Sequence, residues 1–342
     1  MELPEHLQHA AEAELGETAE RRSASLAELK QLVAENSSSA GLAPAGAIKA
    51  LLAATADTGL TTEEVLLQHL CARKFNVAKA FEAPSLRAAF LQEYPDLSKD
   101  VAGSEFLQVY GRGLVRVLPS TDAAGRRIIS IRPSNMTEVP VDPLLIRWQV
   151  FVMSRLARDP AFQVHGVVLV GNFDSVKLTD AKFMAGQLRH GRLRLMMHYI
   201  RSCAPARIGG IFIVNQPKFI GIVWGLMSLF MGSKIRKRVP FLGNNLQALH
   251  EAIPPANLPP ELGGSLQQAD PLEWLQQQIE QQAEEQRAAE EGRAKHAADV
   301  DCLRSFVIAD EEDASMELGG AEEASNDGCS VAGAADGDGE NL

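Results

Sequence analysis

Arg207-Ile-Gly-Gly-Ile-Phe-Ile-Val-Asn-Gln-Pro217 runs almost directly into Phe219-Ile-Gly-Ile-Val-Trp-Gly-Leu-Met-Ser-Leu-Phe-Met231, and then into Lys234-Ile-Arg-Lys-Arg238. Ile211–Val214 is a short apolar run that stops at Asn215-Gln-Pro217, so it reads as a buried strand. A second such run, Gly166–Val170, stops at Asn172-Phe-Asp174. Helical patterns over about 142–158 and 178–202 precede and follow that second strand. Apolar strands alternating with helices predict an α/β fold whose parallel strands are covered on both faces. Upstream, Leu114–Leu118 and Arg127–Ile131 flank the turn Ser120–Gly125 and add two strands; downstream, a short basic helix leads to Val239–Leu242.

The run Phe219–Met231 is thirteen residues long. A bilayer-spanning helix needs about 20, so this one is a core or interfacial helix. It is apolar nearly all round, with Gly221 and Gly225 at i, i+4. Either a packed core helix or a helix that dips into a membrane interface looks like this. The bases beside it tilt the reading toward lipid. From Ala181 to His250 there is no Asp or Glu, while eleven Lys and Arg occur, four of them within Lys234–Arg238. Such segregation predicts an electropositive face directed at phosphate, unless acids from elsewhere in the fold pair with these bases.

Toward the N-terminus, residues 5–34 read as helix, Asn36–Gly46 as a flexible linker and 47–93 as a second helical block. In that block Thr61-Thr-Glu-Glu64 has capping-box spacing, and Pro84 is expected to kink or break the helix. Toward the C-terminus, residues 273–299 read as a polar, solvated helix. Beyond about 309 the chain is rich in Gly, Ala, Ser and acids, the composition of a disordered tail. The tail carries the net charge of −11: residues 305–342 hold 11 of the 44 acids and none of the 33 bases, which leaves 33 acids against 33 bases before it. A neutral body argues against a nucleic-acid binder.

The acidic N-terminus lacks the apolar core of a secretory signal, and four scattered cysteines without a CxxC pair suit a reducing cytosol; both predict a cytoplasmic protein. Catalytic signals are weak. His165, His190, His198 and His250 are isolated, no metal-ligand spacing occurs, and Gly111-Arg-Gly113 fails as a dinucleotide loop. Asp174 at a strand end reads as an ordinary turn residue. The expectation is no enzyme, no cofactor and no metal.

Four ordered segments resemble one family. Leu66-Leu-Gln-His-Leu-Cys-Ala-Arg-Lys-Phe-Asn76 is similar to the "LLRFLRARKFD" signature of the helical N-terminal part of CRAL-TRIO proteins. Arg207–Pro217 resembles that domain's central strand and N-x-P turn, Lys234–Asn245 its basic segment, and Ile253–Gly264 its terminal LP-x-E-x-GG. The resemblance spans about 61 to 266 and points to the branch that includes tocopherol-transfer, retinaldehyde-binding and clavesin proteins. It implies a lipid-exchange fold: a mixed, mostly parallel sheet flanked by helices, an apolar pocket closed by a mobile helix, and a helical N-terminal lobe. The implied organisation is a helical segment and linker over 1–46, the N-terminal lobe over 47–104, the lipid-binding domain over 105–267, a polar helix over 268–308 and an acidic tail over 309–342.

Strand and helix spacing offers Val167, Leu169, Phe173, Leu188, Met196, Tyr199, Ile200 and Ile211 as pocket lining. The gate corresponds to Phe219–Met231, with Ile220, Val223, Trp224, Met227 and Phe230. The phosphoinositide contact is carried over to Arg207, Lys234, Arg236, Lys237 and Arg238. Two departures stand out: Gly209 replaces a further base, and Ala206 a Glu found in members that exchange phosphatidylinositol. The resemblance thus implies a monomeric protein that holds a tocopherol-, retinoid- or phospholipid-like ligand and docks reversibly on endosomal or other membranes bearing phosphatidylinositol bisphosphate. An adaptor that uses lipid only as a recruitment signal stays open beside it.

Overall fold

Two helices open the chain, α1 (Glu5–Leu15) and α2 (Ala19–Glu35), with Gly16 ending the first. The computed structural model describes residues 3–35, 48, 51–52, 60–97, 106–107, 111–138, 144–189, 192–229, 231, 233–237, 239–267 and 272–292, excluding the side chains of 137–138, 188–189, 192–193 and 234–235. The linker expected over 36–46 and the tail expected over 309–342 lie outside these residues.

The capping box at Thr61 is present: its side chain accepts from the Glu64 N–H, and the Glu64 carboxylate accepts from the Thr61 N–H at 2.9 Å. It opens α3 (Thr62–Ala72); α4 (Val77–Glu93) follows. The break in this helical block falls at 73–76, not at Pro84, which sits buried inside a continuous α4. Lys74 and Phe75 take φ of 52° and 56°, a left-handed turn that most side chains avoid. Phe75 tolerates it because its ring is buried with Leu15, Leu29, Leu66 and Leu70. Asn76 then caps α4 by accepting from the Lys79 N–H at 3.0 Å.

β1 (Val115–Thr121) and β2 (Arg127–Ile131) pair antiparallel across a turn in which Asp122 accepts from the Ala124 and Arg126 N–H groups, each at 2.9 Å. Next come α5 (Ile146–Leu156), α6 (Pro160–His165), β3 (Val167–Asn172), α7 (Leu178–Arg189) and α8 (Arg192–His198), which passes into a π-turn over Tyr199–Cys203. β4 (Ile208–Val214), α9 (Ile220–Ser228), α10 (Ser233–Arg236), β5 (Phe241–Gly243) and α11 (Leu246–Ala252) complete the α/β part. The strand order is β1-β2-β3-β4-β5, with β2 through β5 parallel. The sheet is therefore mixed and mostly parallel, with helices on both faces.

Alternation divides the sheet. Val115, Val117, Ile129 and Val167 face one apolar cluster, shared with α5, α7 and α9. Leu118, Ile128, Val168, Val170 and Val214 face another, closed by Leu249, Ile253, Leu258 and Leu262.

Met1–Arg287 form one compact unit and Ala288–Leu342 a second, of which 288–292 are described and helical. Residues 273–287 are helical but not solvated all round. Leu275 is fully buried in the main cluster, and Trp274 and Ile279 pack on it. The helix also holds Arg155 of α5, whose guanidinium lies 2.6 Å from Glu285 and donates from Nε to Gln278 at 3.1 Å. An expectation of a solvated helix fails here because three apolar side chains, Trp274, Leu275 and Ile279, and a Glu285 carboxylate paired with Arg155 and Arg158 are enough to dock a polar sequence.

Candidate functional site

The apolar run after β4 forms α9, whose first N–H groups are taken by the Pro217 and Phe219 carbonyls. Its inner side buries Ile220 and Val223 in the main cluster, with Trp224, Leu226 and Met227 partly buried against it. Trp224 meets Phe241 of β5 edge-on at 5.1 Å. The outer side is also apolar: Ile222 is 77% exposed and Leu229 69%. Of the gate residues read from sequence, Ile220, Val223, Trp224 and Met227 form the inward stripe, and Phe230 lies outside the described residues. The outward pair Ile222 and Leu229 was missed. The signal was available, because a helix apolar all round must present something apolar outward.

The lining candidates converge on the same cluster. Leu169 and Ile211 are cross-strand partners on β3 and β4, and both pack against it. Val167, Phe173 and Tyr199 are buried in it, and Met196 is partly buried on it. Ile200 is half-buried, and the side chain of Leu188 lies outside the described part. Burial pushes the Tyr199 phenol up. Close behind lies a polar group that sequence reading did not find. His69 of α3 is fully buried with neither ring nitrogen hydrogen-bonded. Burial first, and then the Arg87 and Arg73 charges, hold His69 well below the usual histidine range, so its ring is neutral. Arg87 donates to the Ser154 hydroxyl at 3.0 Å, and Arg73 to the Ser202 carbonyl at 3.1 Å.

The basic candidates differ in setting. Arg207, just before β4, is mostly enclosed. Its guanidinium donates to Glu14 of α1 at 3.2 Å and to the Val164 carbonyl, and burial pulls its pKa down while Glu14 opposes that. The other Glu14 oxygen lies 2.6 Å from His165 Nδ1. For Arg207, then, the pairing acid comes from outside the acid-free segment. Arg236 and Lys237 are exposed; Arg238 and the side chain of Lys234 lie outside the described part. Gly209, which replaces a base common in the family the chain resembles, is covered from the β1–β2 turn. A Cβ there would sit 2.5 Å from the Arg126 side chain, which in turn pairs with buried Asp122 at 2.6 Å.

Residues 112–264 match the CRAL/TRIO domain. Clavesin-2 of Homo sapiens is 31% identical over 219 residues, which is 63% of this chain and 65% of that protein. Clavesin-1 of Xenopus laevis is 29% identical over 219 residues, 63% of this chain and 64% of that protein. The chain thus matches a little under two thirds of the length of these relatives. The crystal structure of Sfh5 covers 77% of this chain and 98% of its own at a TM-score of 0.49 and 14% identity.

Proposed function

Because residues 112–264 match the CRAL/TRIO domain, we propose that the protein binds a hydrophobic lipid behind α9 and carries it between membranes, docking through the bases that follow that helix. A lipid tail in water costs about 25 cal/mol for each Å² of apolar surface, and an enclosed apolar site removes most of that. Release requires α9 to move, and a membrane favours the moved state only by binding it better. The observation that carries the reading is the double-faced α9: Ile220 and Val223 pack inward while Ile222 and Leu229 stand in solvent. Inserting the outer pair into a bilayer supplies the differential. Exposed Arg236 and Lys237 lie one short step along the chain, with Lys234 and Arg238 beside them in sequence. Near an anionic leaflet each contributes about 1 kcal/mol. Endosomal or other phosphoinositide-bearing membranes are the natural surface. No helix among the described residues is long and apolar enough to cross a membrane.

The test pairs native mass spectrometry of the copurifying lipid with sedimentation on phosphatidylcholine vesicles, with and without a bisphosphorylated phosphoinositide. Ile222→Asp with Leu229→Asp should lower vesicle binding and transfer about tenfold or more at an unchanged melting temperature. Arg236→Gln with Lys237→Gln should lower only the phosphoinositide-dependent part, by about tenfold at low salt. Full vesicle binding by both double variants would overturn the reading.

A further inference from the structure

The face of the sheet turned away from α9 carries a polar concavity that the lipid reading does not use. Arg116 of β1 stands opposite Ser130 of β2, which stands opposite Val170 of β3. Alternation puts Arg116 and Ser130 on the Leu118, Ile128 and Val170 face, away from Val117, Ile129 and Leu169. Where β2 and β3 end, Arg116, Ser130 and Asn172 meet Arg112, Arg132 and Asn135 around a cleft of about 110 Å³. Glu261 lies on its wall. The carboxyl ends of parallel strands are where open α/β sheets hold ligands.

The guanidiniums of Arg116 and Arg132 lack adequate acceptors among the described residues. Arg116 is 3.9 Å from Glu261 and Arg132 is 3.7 Å from Asp174, both beyond hydrogen-bond reach. The Nε–H groups of Arg116 and Arg132 are buried with no acceptor at all. Buried donors are almost always matched in a folded protein, so two unmatched ones at one small cleft point to a missing acceptor. Asn172 is not available for that role, because its carbonyl already accepts from the Asp174 N–H and the Asn215 side chain, each at 3.0 Å. The backbone is shaped for the arrangement as well. Gly113 has φ +65°, and a Cβ there would lie 2.9 Å from Arg116 Nη2, so only glycine lets the guanidinium lie against this loop. Three arginines reach the cleft from β1, from the end of β2 and from the loop before β1, against the two carboxylates Glu261 and Asp174. Forks approaching from several directions suit a tetrahedral oxyanion better than a planar carboxylate.

We propose that this cleft binds a phosphate group, either free inorganic phosphate or the phosphate of a lipid headgroup, at a site separate from the bases after α9. Glu261 is its built-in competitor, holding Arg116 loosely until a stronger acceptor arrives. The site stands whether or not the protein transfers lipid.

Equilibrium dialysis of the full chain against radiolabelled inorganic phosphate, with acetate at equal ionic strength as control, tests it. Saturable phosphate binding is expected, at least tenfold weaker in Arg132→Gln and unchanged in Arg236→Gln with Lys237→Gln. Glu261→Gln should tighten binding several-fold. That direction a merely damaged fold cannot produce, so the test survives if an arginine variant is unstable. A soluble dihexanoyl bisphosphorylated phosphoinositide, tested in the Arg236→Gln/Lys237→Gln background so that the bases after α9 do not contribute, separates the sources. Tighter binding than phosphate, lost in Arg132→Gln, assigns a headgroup; equal binding assigns free phosphate. No saturable phosphate binding, equal binding by Arg132→Gln, or loss in the Arg236/Lys237 double variant would each overturn the proposal.

Discussion

His69 occupies a position where the related signature has Phe, and it is buried with both ring nitrogens unmatched beside Arg87 and Arg73. An unmatched buried polar group costs about 1–3 kcal/mol. Its pKa in the folded state lies well below the ordinary value of 6.5, so the unfolded chain takes up the proton first as pH falls. Stability linked to His69 is therefore complete above about pH 6.5 and is lost progressively below it. His69→Phe should raise stability by about 1–3 kcal/mol and flatten its fall between neutral and acidic pH, read from denaturant melts across that range. An unchanged acid limb in the variant would assign the loss to other groups. Its one mark in the sequence is that the related signature has Phe at this position; that the ring is wholly removed from water is visible only in the fold. The same holds for Cys71 and Cys203, whose thiols burial pushes up to about 12.

The helix over 273–287 gives the prediction at the scale of an element. Leu275→Ala should cost about 2–5 kcal/mol, because it hollows the main cluster. Ending the chain at residue 268 should cost at least as much, since it also strips Arg155 of Glu285 and Gln278. Ending it at 292 should leave the melting temperature unchanged. Equal melting of the 268 and 292 truncations would show that the docked helix contributes nothing. How an element reads from sequence depends on where its stabilisation comes from. The buried strands were legible because short apolar runs ending at Asn-rich turns have few other uses. The inner stripe of α9 was legible by its spacing. The α3–α4 break was not, because Pro84 is the stronger local signal and the turn at Lys74 and Phe75 is held by Phe75 packing among residues of α1, α2 and α3. The docked helix was misread because Trp274, Leu275 and Ile279 are few among glutamines and glutamates, and the helix's partners sit on α5, more than 100 positions away.

At the scale of the molecule, α1 acts on residues it never approaches in sequence. Glu14 holds Arg207 and lies against His165. Charge segregation made Arg207 visible as a base, but no pattern could reveal its partner, which the fold alone supplies. In the docking reading, Arg207 reaches a phosphate only after Glu14 lets go. Glu14→Gln should then strengthen binding to phosphoinositide vesicles several-fold, by about 1 kcal/mol, while costing about 1 kcal/mol of stability from a partly exposed ion pair. Lost stability with unchanged vesicle binding would make the contact purely structural. The same contact has a consequence during synthesis. Its partners are 193 residues apart, so at roughly 5–20 residues per second α1 waits about 10–40 s for β4 to emerge from the ribosome. Until residue 164 has also emerged, its apolar side, with Leu7 and Ala11, has no Val164 to cover it. The first helix made therefore settles only once the middle of the chain has followed it, and nascent chains stalled before residue 164 should expose it to chaperones and proteases.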